Sequence, residues 1–215
     1  MKRALVAVLA VLGCAHDART VVIPTDAPAD YPCVLRDPTA LGADFSVHQH
    51  LTVHARRADT GEPVDGDFDA VLQKQGDTLL VVGLGPMSVK AFTLRQHQGR
   101  IEFSQAYGPA LPFSPRNIVV DVHRIFFKRL PPPTDAAYTG VIRGELDGEH
   151  VEETWQGGEL RARVFTRPGS ALVGAVRVAL GAGCTAARCT PVSASLRNEW
   201  FAYSIEIAND DFEAL

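Results

Sequence analysis

Short runs of alternating apolar and polar residues follow one another through most of this 215-residue chain. In SVHQHLTVHA, residues 46–55, Val47, Leu51 and Val53 fall on one side of an extended strand and the histidines fall on the other. Glycine-containing pairs such as QG, DG and GG join the runs, and these pairs are typical of hairpin turns. The pattern therefore predicts about ten antiparallel strands.

One segment, SPRNIVVDVHRIFF, interrupts the strands with helical spacing. Ser114 is suited to the N-cap and Pro115 to the first turn, and the prolines at 131–133 prevent the helix from continuing. We therefore expect an amphipathic helix over residues 115–127. Its apolar stripe would be formed by Ile118, Val122, Ile125 and Phe126.

A sheet of this length must curl, close or stack to hide its apolar face. We expect a mainly β protein: a curled antiparallel sheet, or unclosed barrel, with the single helix as a lid across its open mouth. Side chains that do not fill such a barrel leave an apolar cavity. The residues expected to form the cavity and lid are Phe68, Leu72, Phe92, Leu94, Ile118, Val122 and Phe126.

The N-terminal segment has the layout of a secretory signal, with Lys2 and Arg3 followed by an apolar run, Ala4–Gly13. That run is about half the length needed to cross a bilayer. The residues Val11-Leu12-Gly13-Cys14 resemble the lipobox of bacterial lipoproteins, which implies acylation of Cys14 and cleavage before it. An ordinary signal with an incidental cysteine is the alternative. In lipoproteins of the kind that this segment resembles, an aspartate after the cysteine often marks retention in the inner membrane, so the resemblance implies that Ala15 favours the outer membrane.

The chain divides by composition into four parts. We expect a signal peptide at 1–13, a lipidated N-terminus and tether at 14–42, a half-barrel domain at 43–209, and an acidic tail at 210–215. Loss of Lys2 and Arg3 with the signal takes the net charge from −4 to −6. Because no basic stripe is present, nucleic acid is not an expected partner.

Three cysteines remain after Cys14. Cys184 and Cys189 are separated by a short, turn-like stretch, so a local disulfide is expected between them, with Cys33 left over. The alternative pairs Cys33 with one of the two. A metal site built on these cysteines is not expected, because a tetrahedral site needs four ligands.

The charged residues show no catalytic or metal-binding signature. His48, His50 and His54 share one strand face, which is expected to be polar and solvent-facing rather than a metal site. No GxSxG, HExxH or P-loop motif is present, so we expect neither an enzyme nor a cofactor. Asp121 and His123 point in different directions on a helix.

Two further sets of charges are expected at the surface. The carboxylates of Glu145, Glu149, Glu152 and Glu153 are expected to form a solvated hairpin tip. Arg161 and Arg163 alternate with Leu160, Ala162 and Val164, and an exposed strand face is expected for them. Contact with a ligand's acidic head group at the barrel rim is the alternative for the two arginines.

The stretches DFSVHQHLTV, FDAVLQKQGDTLLVVGLGPMSVKAFTLR, FSPRNIVVDVHRIFF and LRNEWFAYSIEI resemble a family of bacterial lipoproteins of unknown function. Members of that family often lie beside genes for aryl-polyene synthesis. The family is in turn similar to the outer-membrane receptor of the lipoprotein-localisation (Lol) pathway, an unclosed barrel with helices as a lid and a cavity for acyl chains. The resemblance, over roughly residues 39–208, implies the same fold and an apolar ligand.

The resemblance also extends to one loop between two strands. Where the family has Pro-Leu-Gly between two strands, this chain has Pro86, Met87 and Ser88. The resemblance implies an apolar side chain directed at the membrane, and the alternative is that Met87 packs under its own loop. The expected function is that of an outer-membrane-anchored, periplasm-facing protein that binds or transfers an acyl-type ligand. The alternative is a non-catalytic envelope scaffold or accessory protein with a filled barrel and an unknown protein partner.

Overall fold

The computed structural model describes residues 19–26, 31–56, 60–106 and 114–215 of the chain. Cys14 and the expected signal peptide lie outside these residues. Twelve strands form one antiparallel sheet in the order β1-β6-β5-β4-β3-β2-β12-β11-β10-β9-β8-β7. The strands are β1 Arg19–Pro24, β2 Phe45–Arg56, β3 Pro63–Gln75, β4 Thr78–Leu84, β5 Lys90–His97, β6 Arg100–Gln105, β7 Gly140–Leu146, β8 Glu149–Gln156, β9 Glu159–Thr166, β10 Val176–Leu180, β11 Ser193–Asn198 and β12 Tyr203–Ala214.

The predicted fold class, a mainly β protein with an unclosed antiparallel sheet and one helix, is confirmed. Within the described chain, β1 and β7 are the outermost strands of the sheet. Two strands were not predicted. The first, β1, lies among prolines and aspartates, and the second, β11, has the serine- and arginine-containing sequence SASLRN.

Parts of the expected tether and tail belong to the sheet. Val21 and Ile23 of β1 lie opposite Phe103 and Ile101 of β6. At the other end of the chain, the expected acidic tail continues β12 as far as Ala214, after an irregularity in its pairing with β2 between Asp210 and Glu213. The sheet therefore extends beyond both expected boundaries of the domain.

The helix α1 spans Pro115–Val122 and continues as a π-helical turn at His123–Phe127. Ser114 is its N-cap, as predicted, and the side-chain hydroxyl accepts a hydrogen bond from the backbone N–H of Arg116. The expected lid has a polar side that faces solvent. In the structure, all the residues from Val119 to Phe126 are buried, including the polar ones. No described helix is long and apolar enough to cross a membrane.

Exposure of the core-facing side chains changes along the strands. Leu72, Leu79, Leu94 and Ile101 are completely buried. Towards the other ends of the same strands, Phe68 and Phe92 are half-exposed. We call this end of the sheet the mouth edge, defined by the β4–β5 turn (85–89) and the β9–β10 loop (167–175), which share one edge because all neighbouring strands are antiparallel.

Cys184 and Cys189 are joined by a disulfide in the loop between β10 and β11. Among the described residues, Cys33 is a free, half-buried thiol.

Candidate ligand-binding site

Half-buried apolar side chains lie on the core-facing side of the sheet and helix near the mouth edge. We call six of them the apolar strip: Leu51, Val53, Phe68, Phe92, Ile118 and Ile205. Two cross-strand pairs make up much of it, since Leu51 lies opposite Phe68 and Val53 lies opposite Ile205. None of the six carries a charge or a hydrogen-bonding group, so the strip favours an apolar ligand.

Phe92 occupies the middle of an aromatic row in this region. Its ring centroid lies 6.4 Å from that of Phe68 and 5.9 Å from that of Phe103. Gly83, its partner on β4, leaves space for the Phe92 ring, because a Cβ atom there would overlap it. A residue larger than glycine at position 83 would therefore displace the Phe92 ring.

The residues predicted to line a cavity divide into two groups. Phe68, Phe92 and Ile118 belong to the half-exposed strip. The other four are buried in the core: Leu72, Leu94, Val122 and Phe126. The surface available to a ligand is therefore the mouth-edge part of the predicted set.

Charged side chains fill the space between the helix and strands β7–β9. Arg124 donates to a carboxylate oxygen of Glu149 at 2.5 Å, and both side chains have no exposed surface. The Nζ atom of the buried Lys128 lies 3.0 Å from Asp147 and 3.7 Å from Glu149. The expectation of a fully solvated acidic hairpin is wrong for Glu149.

Arg163 and Glu153 form a second buried ion pair, with the Nε–Oε1 distance at 3.2 Å. The expectation that both residues are exposed is wrong. Arg163 is buried because the β8–β9 pairing is irregular between Thr154 and Trp155. Arg161 is inserted there as an extra residue, and this turns Arg163 towards the core. Burial lowers the pKa of Arg163 to about 10, against the opposing effect of Glu153.

Arg163 also completes the hydrogen bonding of the helix end. Its Nη1 atom donates to the carbonyl oxygens of Arg124 and Ile125, at 3.0 and 2.9 Å. Carbonyl groups at a helix C-terminus lack partners within the helix and attract cations. The ion pair therefore holds the π-helical turn against the sheet.

Asp121 joins the helix to two distant parts of the chain. Its carboxylate accepts a hydrogen bond from the hydroxyl of Tyr31 and another from that of Tyr203, each at 2.6 Å. Burial raises the pKa of Asp121 to about 6, although both hydrogen bonds act in the opposite direction. Asp121 is thus a structural acid in the core.

Residues 31–36, which we call the strap, cover the polar side of the helix. Arg116 donates to the carbonyl oxygens of Tyr31 and Cys33, each at 2.7 Å. Arg124 donates to the carbonyl oxygen of Pro32 at 2.8 Å, and its guanidinium lies 4.5 Å from the ring centroid of Tyr31. The strap explains why the polar face of the predicted amphipathic helix is buried.

His123 is buried between the helix and β5. Its Nε2 atom donates to Oε1 of Gln96 at 2.9 Å, and the amide nitrogen of Gln96 donates to the carbonyl oxygen of Arg36 in the strap. Burial lowers the pKa of His123 to about 3. The imidazole is therefore neutral near pH 7.

The predicted polar face of β2 is observed on the outside of the sheet. Asp69 lies 2.9 Å from Nδ1 of His50, and Asp65 lies 2.8 Å from Nδ1 of His54. The hydrogen bonds to these carboxylates raise the pKa of both histidines. In the described parts of the chain, no three His, Cys, Asp or Glu side chains are grouped so that they could hold a metal ion.

The β4–β5 turn presents Met87 to solvent. This side chain is 93% exposed, so it does not pack under its own loop. Met87 and Ser88 both have positive φ, at 57° and 56°. Glycine adopts this left-handed conformation most readily, so Met87 and Ser88 occupy a backbone conformation that residues with side chains adopt infrequently.

No curated protein matches the chain. Among solved structures, it is similar to a LolA superfamily protein from Nitrosomonas europaea, with 10% identity, a TM-score of 0.42, and coverage of 84% of this chain and 89% of that one. An outer membrane lipoprotein-sorting protein domain from Vibrio parahaemolyticus has 10% identity, a TM-score of 0.38, and coverage of 80% and 85%. Residues 46–211 match a family described as a protein of unknown function, DUF3261, and the chain belongs to that family.

Proposed function

We propose that this protein is a lipid-anchored binding protein that holds an acyl-type ligand against the apolar strip. The carrying observation is the half-buried strip itself, since its six apolar side chains keep exposed surface on the core-facing side whereas Leu72, Leu79 and Leu94 have none. Each methylene group moved from water onto such a surface contributes about 0.8 kcal/mol. A ligand chain several methylenes long therefore gains enough free energy to bind without a specific polar contact.

The anchor of the proposed protein is Cys14. The short apolar segment before it and the lipobox-like residues 11–14 support acylation. Two or more acyl chains hold a protein on a bilayer well, whereas one holds it marginally. The proposed location is the periplasmic face of the outer membrane, with Pro86 and Met87 directed at the bilayer.

The proposed ligand is the lipid of a lipoprotein or a polyene-lipid conjugate. The apolar strip supports the acyl part of this proposal because it lacks charged and hydrogen-bonding groups. Catalysis is not proposed: the buried acids Asp121 and Glu153 are engaged in structural hydrogen bonds.

The alternative is an envelope scaffold or accessory protein that binds no small ligand. One observation favours it: the buried pairs Arg124–Glu149 and Arg163–Glu153 fill the space on the β8–β9 side of the helix. A ligand in that half would separate charges from their partners at a cost of about 3–5 kcal/mol. The proposed ligand is therefore confined to the side of the apolar strip, formed by β2–β5 and β12.

Titration of the chain from residue 15 with a fluorescent fatty acid tests the proposal. We expect saturable binding that is lost in Phe68→Asp, which places a charge in the apolar strip. The matched control is Val192→Asp, because Val192 is exposed at the opposite edge of the sheet. If the unmodified chain does not bind the fatty acid, the ligand proposal fails and the scaffold alternative gains support.

A further inference from the structure

The start of β1, the end of β6 and the start of β5 lie together at the mouth edge. Arg19, the first residue of β1, lies opposite Gln105 of β6, which in turn lies opposite Phe92 of β5. Strand β5 begins directly after the turn that carries Met87. The chain therefore enters the sheet at the same edge as the β4–β5 turn.

This entry point limits how far the domain can stand from its anchor. Cys14 precedes Arg19 by five residues, and a chain of that length reaches at most about 18 Å. The strands are longer: the twelve residues of β2 extend about 40 Å from one edge of the sheet to the other. An anchor at Cys14 therefore keeps the mouth edge near the bilayer and leaves the opposite edge out of its reach.

Of the large apolar side chains that the structure describes, the two most exposed lie at this edge. Met87, in the β4–β5 turn, is 93% exposed, and Val173, in the β9–β10 loop, is 86% exposed. They are separated in the sheet order by β3, β2, β12 and β11, so they form two points of contact rather than one patch. Two separated contacts restrict the orientation of the domain on a surface, whereas a single contact leaves the domain free to tilt.

We propose that the mouth edge is a docking surface for the lipid bilayer, with Val173 as a second apolar contact beside Met87. The apolar strip opens at this edge, so an acyl chain would pass between the strip and the bilayer without crossing the periplasm. This inference rests on the proposed anchor at Cys14. The short chain between Cys14 and β1, together with the start of β1 at this edge, favours the bilayer as the partner.

Tryptophan fluorescence on the lipidated full chain, in vesicles of phosphatidylethanolamine and phosphatidylglycerol with brominated acyl chains, tests the orientation. The matched variants are Val173→Trp at the mouth edge and Val192→Trp at the opposite edge, each compared with the parent chain. We expect the emission added by Val173→Trp to be quenched and shifted to shorter wavelength. The emission added by Val192→Trp should keep its intensity.

Equal quenching of the two variants, or quenching of Val192→Trp alone, would overturn the docking surface. Mass spectrometry of the purified chain separates this failure from failure of the anchor. A chain without acyl groups at Cys14 overturns both. A lipidated chain that binds fatty acid but shows no quenching at position 173 overturns only the docking surface.

Discussion

Gly83 lies beneath the aromatic ring of Phe92, so close that a Cβ atom at position 83 would overlap the ring. The φ angle of Gly83 is not in the left-handed region, so the constraint on this position is space. The overlapping atoms belong to a side chain that can rotate, and Phe92 is half-buried. The sheet can therefore accept a larger residue at position 83 only by moving the central ring of the apolar strip.

We predict that Gly83→Ala weakens fatty-acid binding by about tenfold, because the displaced ring no longer contacts the ligand and a contact of about 1.4 kcal/mol corresponds to a factor of ten in affinity. Fluorescent fatty-acid titration measures the change. Gly66→Ala on β3 is the control: Gly66 lies opposite Val53 of the same strip, but a Cβ atom there meets nothing within 4 Å, so the added methyl group displaces no ring. Unchanged affinity in Gly83→Ala would remove Phe92 from the ligand surface.

The pH dependence of stability should report on Asp121. Burial raises its pKa from the ordinary value of 3.8 to about 6, so the protonated carboxyl is favoured in the folded state. The resulting stabilisation is fully present below pH 3.8 and is lost as the pH rises through 6. We expect the free energy of unfolding to fall by about 3 kcal/mol over this interval through Asp121.

Asp121→Asn isolates this contribution, because the variant carries no titrating group at position 121. Urea unfolding at a series of pH values between 4 and 7 measures both chains. The difference between parent and variant should change with pH in the direction stated. Parallel curves would show that Asp121 keeps an ordinary pKa in the folded protein.

Glu153 is expected to be one of the most sensitive positions for stability. Glu153→Gln leaves the completely buried Arg163 without a charged partner, which typically costs about 3–5 kcal/mol. Chemical denaturation measures the loss. Glu152→Gln provides the control, since Glu152 pairs with Arg143 on the exposed side of the same strand and should cost about 1 kcal/mol or less.

The strap is expected to depend on the hydroxyl of Tyr31. Tyr31→Phe keeps the ring beside Arg124 and removes one of the two hydrogen bonds to Asp121. We expect a loss of about 1–3 kcal/mol in unfolding free energy, because the buried carboxylate loses a partner. Tyr138→Phe, whose hydroxyl makes a long exposed contact of 3.4 Å, should be nearly neutral. Equal effects would argue against a special role for the strap.

Local patterns were sufficient to predict most of the sheet and the start of the helix. Alternation identifies β2 because its inward residues, apart from Gln49, are apolar and its outward residues are polar. The same rule misses β11, which has only Ala194 and Leu196 as inward apolar residues. It also misses β1, whose pairing with β6 joins residues about eighty positions apart.

The buried charges depend on a detail of strand pairing that alternation does not contain. The turn at Gly157-Gly158, continued in regular register, would place Glu153 opposite Ala162. The inserted Arg161 moves Arg163 into that place. Likewise, the polar residues of the helix predict a solvent-facing side. The helix sequence does not contain the information that the strap covers them.

Native mass spectrometry of the chain from residue 15, expressed in the periplasm and kept free of detergent, would show whether the domain holds an acyl-type ligand. We predict a discrete added mass of a lipid that is lost on collisional activation. If the protein shows only its own mass, and added fatty acids do not shift that mass, the domain does not hold an acyl-type ligand.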